Sequence, residues 1–203
     1  MYITYLLTFE FLLKIMKTIF TFAFLLSLVF GLQAQEENLP TQSVFVEIGG
    51  PSLVYTFNYD FRFDKTDMNS WGLRAGVGGY KLSDEALLTI PIQATRLFGK
   101  GVHFFELGGG FTFINFKSTY SNYTMELNPD TGEWIEIFSE ETRKDWNFIL
   151  DIDKTPTVMG TLNFGYRRIP KNGGFTFRAN ITPIFNNHGF WPLFAGIGLG
   201  YAF

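Results

Sequence analysis

The sequence predicts an all-β fold: an eight-stranded, antiparallel, up-and-down transmembrane β-barrel. Three observations carry that prediction. From Val44 onward the apolar residues recur with a period of two, the period of a strand. The two faces of each run differ in kind, one aromatic or aliphatic and the other bearing glycines together with arginines and carboxylates. The composition agrees, with 25 phenylalanines and 21 glycines among 203 residues and only 17% charged residues. Soluble enzymes are usually richer in leucine and alanine. A soluble eight-stranded barrel turns its aromatic face inward, whereas a membrane barrel turns it outward. Glycine on the charged face favours the second arrangement, because space is short inside a narrow barrel that holds long arginines. Ten residues at about 3.3 Å each, tilted by about 40°, rise roughly 25 Å, the height of the apolar band of such barrels.

The strands follow in order. Ser43 to Gly50 places Val44, Val46 and Ile48 opposite Glu47. Leu53 to Phe63 alternates without a fault, its odd positions apolar and its even ones running Val, Thr, Asn, Asp, Arg. Trp71 to Tyr80 sets Leu73, Ala75 and Val77 against Arg74, Gly76 and Gly78. Leu88 to Phe98 sets Ile90 and Ile92 against Gln93 and Thr95. His103 to Phe116 sets Phe105, Leu107, Phe111 and Phe113 against Glu106, Gly108, Gly110 and Thr112. Val158 to Arg168 and Phe175 to Phe185 repeat the pattern, with Asn163, Arg167, Arg178 and Asn180 on the polar face. Trp191 to Phe203 closes the set, with Leu199, Tyr201 and Phe203 on one face and Gly196, Gly198 and Gly200 on the other. In the central segments Arg96 is the one charge on an apolar face, and it falls near a strand end, where the cost is about 0–1 kcal/mol.

Connections alternate between short and long. Lys100-Gly101, Lys171-Asn172-Gly173 and Asp64 to Ser70 are turns at one end. The other end carries residues 50–52, 83–85, 186–189 and one long loop, 119–155. That loop holds nine acidic residues against Arg143, Lys144 and Lys154, a balance of −6. Asn128 to Gly132 reads as the turn of a hairpin that protrudes beyond the barrel. Short turns belong to the periplasmic side and longer loops to the outside.

Ahead of the barrel, Met16-Lys17, the apolar run Thr18 to Phe30 and the small-residue end Gly31 to Ala34 have the layout of a secretory signal peptide. The expected organisation is a signal over 1–34, a short periplasmic leader over 35–42 and the barrel over 43–203. Residues 1–15 add nothing such a signal needs and suggest a misassigned start. A retained transmembrane anchor is the alternative, but Glu10 and Lys14 interrupt it.

The absence of cysteine excludes disulfide scaffolds, zinc fingers, thiol nucleophiles and lipoprotein anchoring. A net charge of −3 without a basic stripe excludes nucleic acid as a partner. The inward face collects Glu47, Asp60, Arg62, Arg74, Glu106, Arg167 and Arg178, all expected in the periplasmic half. Charges in a narrow lumen must pair, so these seven read as a salt-bridge network that plugs the barrel. No catalytic, cofactor-binding or metal site emerges. His188 could meet Ser83, Asp84 or Glu85 across the rim, His103 sits at a strand start, and Asp151 with Asp153 forms only a weak calcium signal. Pro91 and Pro183 interrupt strand ladders and could mark seams for lipid access.

The stretches Val46-Glu47-Ile48-Gly49-Gly50, Phe57-Asn58-Tyr59-Asp60, Phe104 to Gly110, Phe164-Gly165-Tyr166-Arg167 and Gly198 to Phe203 resemble the small outer-membrane β-barrel proteins of Gram-negative bacteria. The architecture is similar to the transmembrane part of outer-membrane protein A, and more closely to compact barrels of Bacteroidota. The resemblance implies an exported monomer in the cell outer membrane, in contact with its lipid. It also implies that Leu199, Tyr201 and Phe203 form the signal read by the barrel assembly machinery. The expected role is non-catalytic and structural, or one of surface interaction with an extracellular partner through the acidic loop. An outer-membrane lipid-modifying enzyme and a narrow channel are the alternatives. A soluble periplasmic ligand-binding barrel, with Phe57, Phe105 and Phe177 lining its lumen, is the remaining one.

Overall fold

The computed structural model describes residues 39–147 and 149–203, so the expected signal over 1–34 and the first part of the leader lie outside the described residues. Among the described residues the chain forms β1 (Gln42–Gly49), a 3-10 turn (Gly50–Ser52), β2 (Tyr55–Arg62), β3 (Trp71–Lys81), β4 (Glu85–Lys100) and β5 (His103–Leu127). They are followed by β6 (Trp134–Arg143), β7 (Thr157–Arg168), β8 (Gly174–Ile181), β9 (Ile184–Asn186), β10 (Gly189–Trp191) and β11 (Ala195–Ala202). Every pairing is antiparallel. Ser43 lies opposite Ala202, so β11 returns to β1 and closes the ring β1-β2-β3-β4-β5-β7-β8-β11. A closed ring leaves no sheet edge in the barrel wall. The fold is an eight-stranded antiparallel β-barrel.

Inside and outside follow the predicted parity. Along β2, Thr56, Asn58, Asp60 and Arg62 are buried, while Phe57, at 62% exposure, looks outward. Phe105 is 51% exposed, and Phe177 also stands on the outer face, so none of the three rings lines the lumen. Near the short turns the outer face carries Trp71, Phe98, Phe105, Tyr166, Phe175 and Tyr201, each within three residues of a strand end.

Proline corrects two strand boundaries. The run 175–185 breaks after Ile181, because Pro183 has no N–H to donate, and it resumes as β9. The last run breaks likewise over 192–194 at Pro192, leaving β10 and β11 as separate pieces. Pairing is not lost at either break. Leu162 N–H donates to the Pro183 carbonyl at 2.8 Å, and Thr182 N–H donates to the Phe194 carbonyl at 2.6 Å. Pro91 behaves differently. β4 runs straight through it, and only the Ile90–Pro91 positions of the β3–β4 ladder go unpaired.

The turns are built from their own chemistry. Gly101 takes φ 72° in the two-residue link between Lys100 and His103, the position where a type II′ turn needs glycine. In the 64–70 turn, Thr66 donates from its N–H and hydroxyl to Asp64 Oδ1 at 2.8 and 2.6 Å. Those hydrogen bonds hold the Asp64 carboxyl below its ordinary pKa.

At the opposite end the 50–52 turn folds into the mouth of the barrel, where it packs against β3, β4, β5, β7 and β11. Thr112 Oγ1 donates to the Pro51 carbonyl at 2.5 Å and fastens it there. Above it lies an apolar layer of Leu53, Leu87, Ile114, Phe116, Trp146, Ile152, Met159 and Ile184, with the Trp146 and Phe116 rings stacked 6.0 Å apart. The short-turn end has its own layer, made of Met68, Leu97, Phe104, Ile169 and Ala202. Both mouths are therefore lined by inward apolar residues.

β5 outlasts the barrel. Beyond Ser118 it pairs only with β6, forming a two-stranded ribbon that ends in the turn 128–133. Tyr123 lies opposite Phe138 and Leu127 opposite Trp134 on one face of the ribbon, and all four are exposed. Because Trp146 is buried in the mouth layer and Trp134 is 66% exposed, the two should respond differently to truncation. Trp146→Ala is expected to lower stability by about 3 kcal/mol, and Trp134→Ala by less than about 0.5 kcal/mol, as read by urea unfolding in lipid vesicles.

Candidate functional site

Seven of the eight ring strands send polar side chains into the lumen, where they join one network between the two apolar layers. β2 and β7 stand opposite each other in the ring, and Arg167 crosses the whole interior between them. Its Nη1 and Nη2 donate to Asp60 Oδ1 and Oδ2 at 2.9 and 3.1 Å, while its Nε donates to Glu106 Oε2 at 2.8 Å. Such a two-pronged guanidinium–carboxylate contact fixes orientation as well as charge. Arg62 donates from Nη2 to both oxygens of Asp60, at 2.7 and 2.8 Å, and to Thr95 on β4. Arg74 pairs with Glu47 and donates to Asn58 Oδ1 at 3.0 Å. Arg178 donates from Nη2 to Glu106 Oε1 at 2.6 Å, and its Nε lies 3.6 Å from Glu47 Oε1.

Neutral groups extend the network, although among the described residues Arg62 Nε, Arg178 Nη1 and Asn180 Oδ1 donate or accept no hydrogen bond. Asn180 donates from Nδ2 to Glu47 Oε1 and Asn163 Oδ1 at 2.9 and 2.7 Å, and Asn163 donates to Glu106 Oε1 at 3.1 Å. Gln93 reaches from β4 to Thr161 on β7. Three carboxylates face four guanidiniums, which leaves a formal +1. Phe45 meets that excess from the inside, its ring 4.4 Å from the Arg178 guanidinium carbon and 5.0 Å from that of Arg74.

Glycine makes the room. β11 offers the lumen only Gly196, Gly198, Gly200 and Ala202. A Cβ on Gly198 would stand 2.8 Å from Arg178 Cγ, and one on Gly50 would stand 2.8 Å from the Glu47 carboxylate carbon.

All seven charged residues singled out in the sequence are thus brought together and buried. Their height is not as expected. Glu47 lies two residues from the end of β1 that leads into the 50–52 turn, beneath that turn, because β1 is only 8 residues long. It therefore stands towards the long-loop end, on one row with Arg178 through Gly198, and not with Asp60, Glu106 and Arg167 near the short turns. Sequence reading passed over Phe45, Asn58, Gln93, Asn163 and Asn180 as site members. Parity was the available signal, since each shares its strand face with a lumen charge.

Leu199 and Tyr201 stand on the outer face, and the Phe203 backbone exchanges hydrogen bonds with Gln42 at 2.8 and 3.0 Å. His103 is exposed, its Nδ1 2.7 Å from the Tyr166 hydroxyl.

On the rim, His188 meets none of Ser83, Asp84 or Glu85. It pairs instead with Asp153, Nε2 to Oδ2 at 3.1 Å, because the loop limb 151–157 runs alongside the β9–β10 hairpin. Asn186 Nδ2 donates to the Asp151 carbonyl at 2.8 Å and ties the same two segments. They border an open depression of about 200 Å³. Among the described residues no three His, Cys, Asp or Glu side chains gather as metal ligands.

No protein-family description matches this chain, and no curated protein matches it. Among solved structures it is similar to the N-terminal β-barrel domain of OprF from Pseudomonas aeruginosa. The two share 14% identity at a TM-score of 0.44, over 80% of this chain and 95% of that one.

The network should behave as one unit. Asp60→Asn leaves Arg62 without a carboxylate partner and Arg167 with Glu106 alone, in a dry interior, and is expected to cost about 3–5 kcal/mol. Asp60→Asn combined with Arg167→Gln should cost less than the sum of the two single changes, as a double-mutant cycle of urea unfolding would register.

Proposed function

We propose that this chain is an integral outer-membrane β-barrel protein without catalytic activity, acting as a monomer that stabilises the membrane and presents a surface-interaction element outside it. One observation carries the reading: the greasy residues of all eight ring strands face outward while the charges pair with one another inside. A water-soluble barrel with that orientation would expose its largest apolar side chains to solvent without compensation. In a bilayer the same face meets acyl chains, and the closed ring pairs the backbone of the wall except at the Pro91 step of the β3–β4 ladder.

Export through a cleaved signal and insertion by the barrel assembly machinery, with Leu199, Tyr201 and Phe203 as its signal, belong to this reading. The short turns then face the periplasm and the β5–β6 ribbon faces the exterior. From Thr119 to Arg143 the ribbon carries six carboxylates against one arginine, so it is an acidic contact surface held clear of the barrel. The His188–Asp153 pair lies on the exposed rim, and among the described residues no hydroxyl bonds to it, which supports a loop-tying role.

Membrane fractionation with heat-modifiable gel migration tests the location: the unboiled chain should run as a compact band from the outer-membrane fraction. A protein recovered from the soluble fraction without detergent would sink the assignment. Ile92→Arg, on the outer face of β4, is expected to destabilise the inserted barrel by about 2–4 kcal/mol. Because a charge network and two apolar layers occupy the lumen, planar bilayers should record no conductance steps from the wild-type chain. Steps altered by Arg74→Ala would favour a channel instead.

A further inference from the structure

At the short-turn end, three neighbouring strands line up one row of outward side chains. Lys100 on β4 lies directly opposite His103 on β5, which lies directly opposite Arg168 on β7. The next row inward along the same strands is aromatic: Phe98, Phe105 and Tyr166. All six are exposed. The β4–β5 and β7–β8 turns touch through the Ile169 N–H and the Val102 carbonyl at 2.9 Å, which brings Lys171 to the same corner.

Basic groups placed side by side in a sheet repel, and opposite charges normally intervene. Here none do. Residues 99–103 and 168–174 contain no acid, and among the described residues no carboxylate forms an ion pair with Lys100, Arg168 or Lys171. With strands about 4.8 Å apart, Lys100 and Arg168 flank His103 at roughly 10 Å from each other, a gap their long side chains can close around one anion. The Tyr166 hydroxyl holds His103 between them, its ring stacked 6.0 Å from the Tyr166 ring. Arg96 is engaged elsewhere, over the Phe98 and Trp71 rings and on the Asn69 carbonyl.

We propose that this corner binds the phosphate headgroup of an anionic phospholipid, the phosphate between Lys100 and Arg168 and an acyl chain along Phe98 and Phe105. The aromatic row directly beneath the cations is what selects a lipid over a free phosphate, since a soluble anion has no use for it. This inference rests on the outer face meeting lipid, as proposed above.

The test uses the full chain in nanodiscs with equal amounts of phosphatidylglycerol and phosphatidylcholine, followed by native mass spectrometry of the lipids it retains. Phosphatidylglycerol should be retained in preference. Lys100→Ser and Arg168→Ser should each lower that retention about fivefold, while Lys117→Ser, at the far end of the barrel, should leave it unchanged. Phe105→Ser should weaken retention with every charge in place. Indifference between the two lipids, an equal loss on Lys117→Ser, or displacement of the lipid by soluble glycerol phosphate would overturn the proposal. Heat-modifiable migration of the same samples separates the two readings. A chain that never gains the compact form removes the membrane assignment and this corner with it, whereas a compact chain with unselective retention removes the corner alone.

Discussion

Arg167 spans the inside of the barrel from β7 to Asp60 on β2 and takes Glu106 on the way. An interior this narrow leaves charged groups little but one another for partners, and an unpartnered one would be expensive. That constraint reaches well beyond the seven residues. It draws neutral amides such as Asn163 and Asn180 into the hydrogen bonding, and it requires one wall strand, β11, to withdraw nearly all its side chains. Phe45 belongs to the same logic, because a ring face is the remaining way to soften the fourth guanidinium.

The interior charges set what the ends must do. Water entering either mouth would compete for every pair, and each mouth is lined by apolar residues that come partly from connections and not only from strands. Leu53, Trp146 and Ile152 descend from loops at one end, and Met68 and Ile169 fold in from turns at the other. The connections thus cover the lumen as well as joining strands. Outside, the two ends diverge in charge, acidic along the β5–β6 ribbon and basic around the turns near Lys100 and Arg168. A barrel with unlike ends suits a boundary with unlike sides.

Much of this was legible from residue order. The alternation through Leu53 to Phe63 assigns Asp60 and Arg62 to one face and Phe57 and Tyr59 to the other without any knowledge of neighbours. Asn58, Gln93 and Asn180 carry the same parity and were equally assignable, though nothing about an amide distinguishes a network member from a solvated side chain. Pro91 and Pro183 were visible as breakers and Pro192 was read through, yet whether a strand ends at a proline, as at Pro183 and Pro192, or passes through it, as β4 does at Pro91, depends on whether the partner strand needs the missing donor there.

Strand periodicity, the facing of each side chain and the alternation of connection lengths are local properties, and the order of residues determined them by itself. Which carboxylate meets which guanidinium was settled only by closure. Asp60 and Arg167 are 107 positions apart and become neighbours because the ring brings β2 and β7 face to face. The same holds for His188 and Asp153, which meet because a loop limb and a short hairpin share one rim. Register between strands, stagger around the ring and the inward fold of the 50–52 turn are relations among distant segments. Period-two alternation carries no information about them, since every even shift preserves the faces while changing the partners.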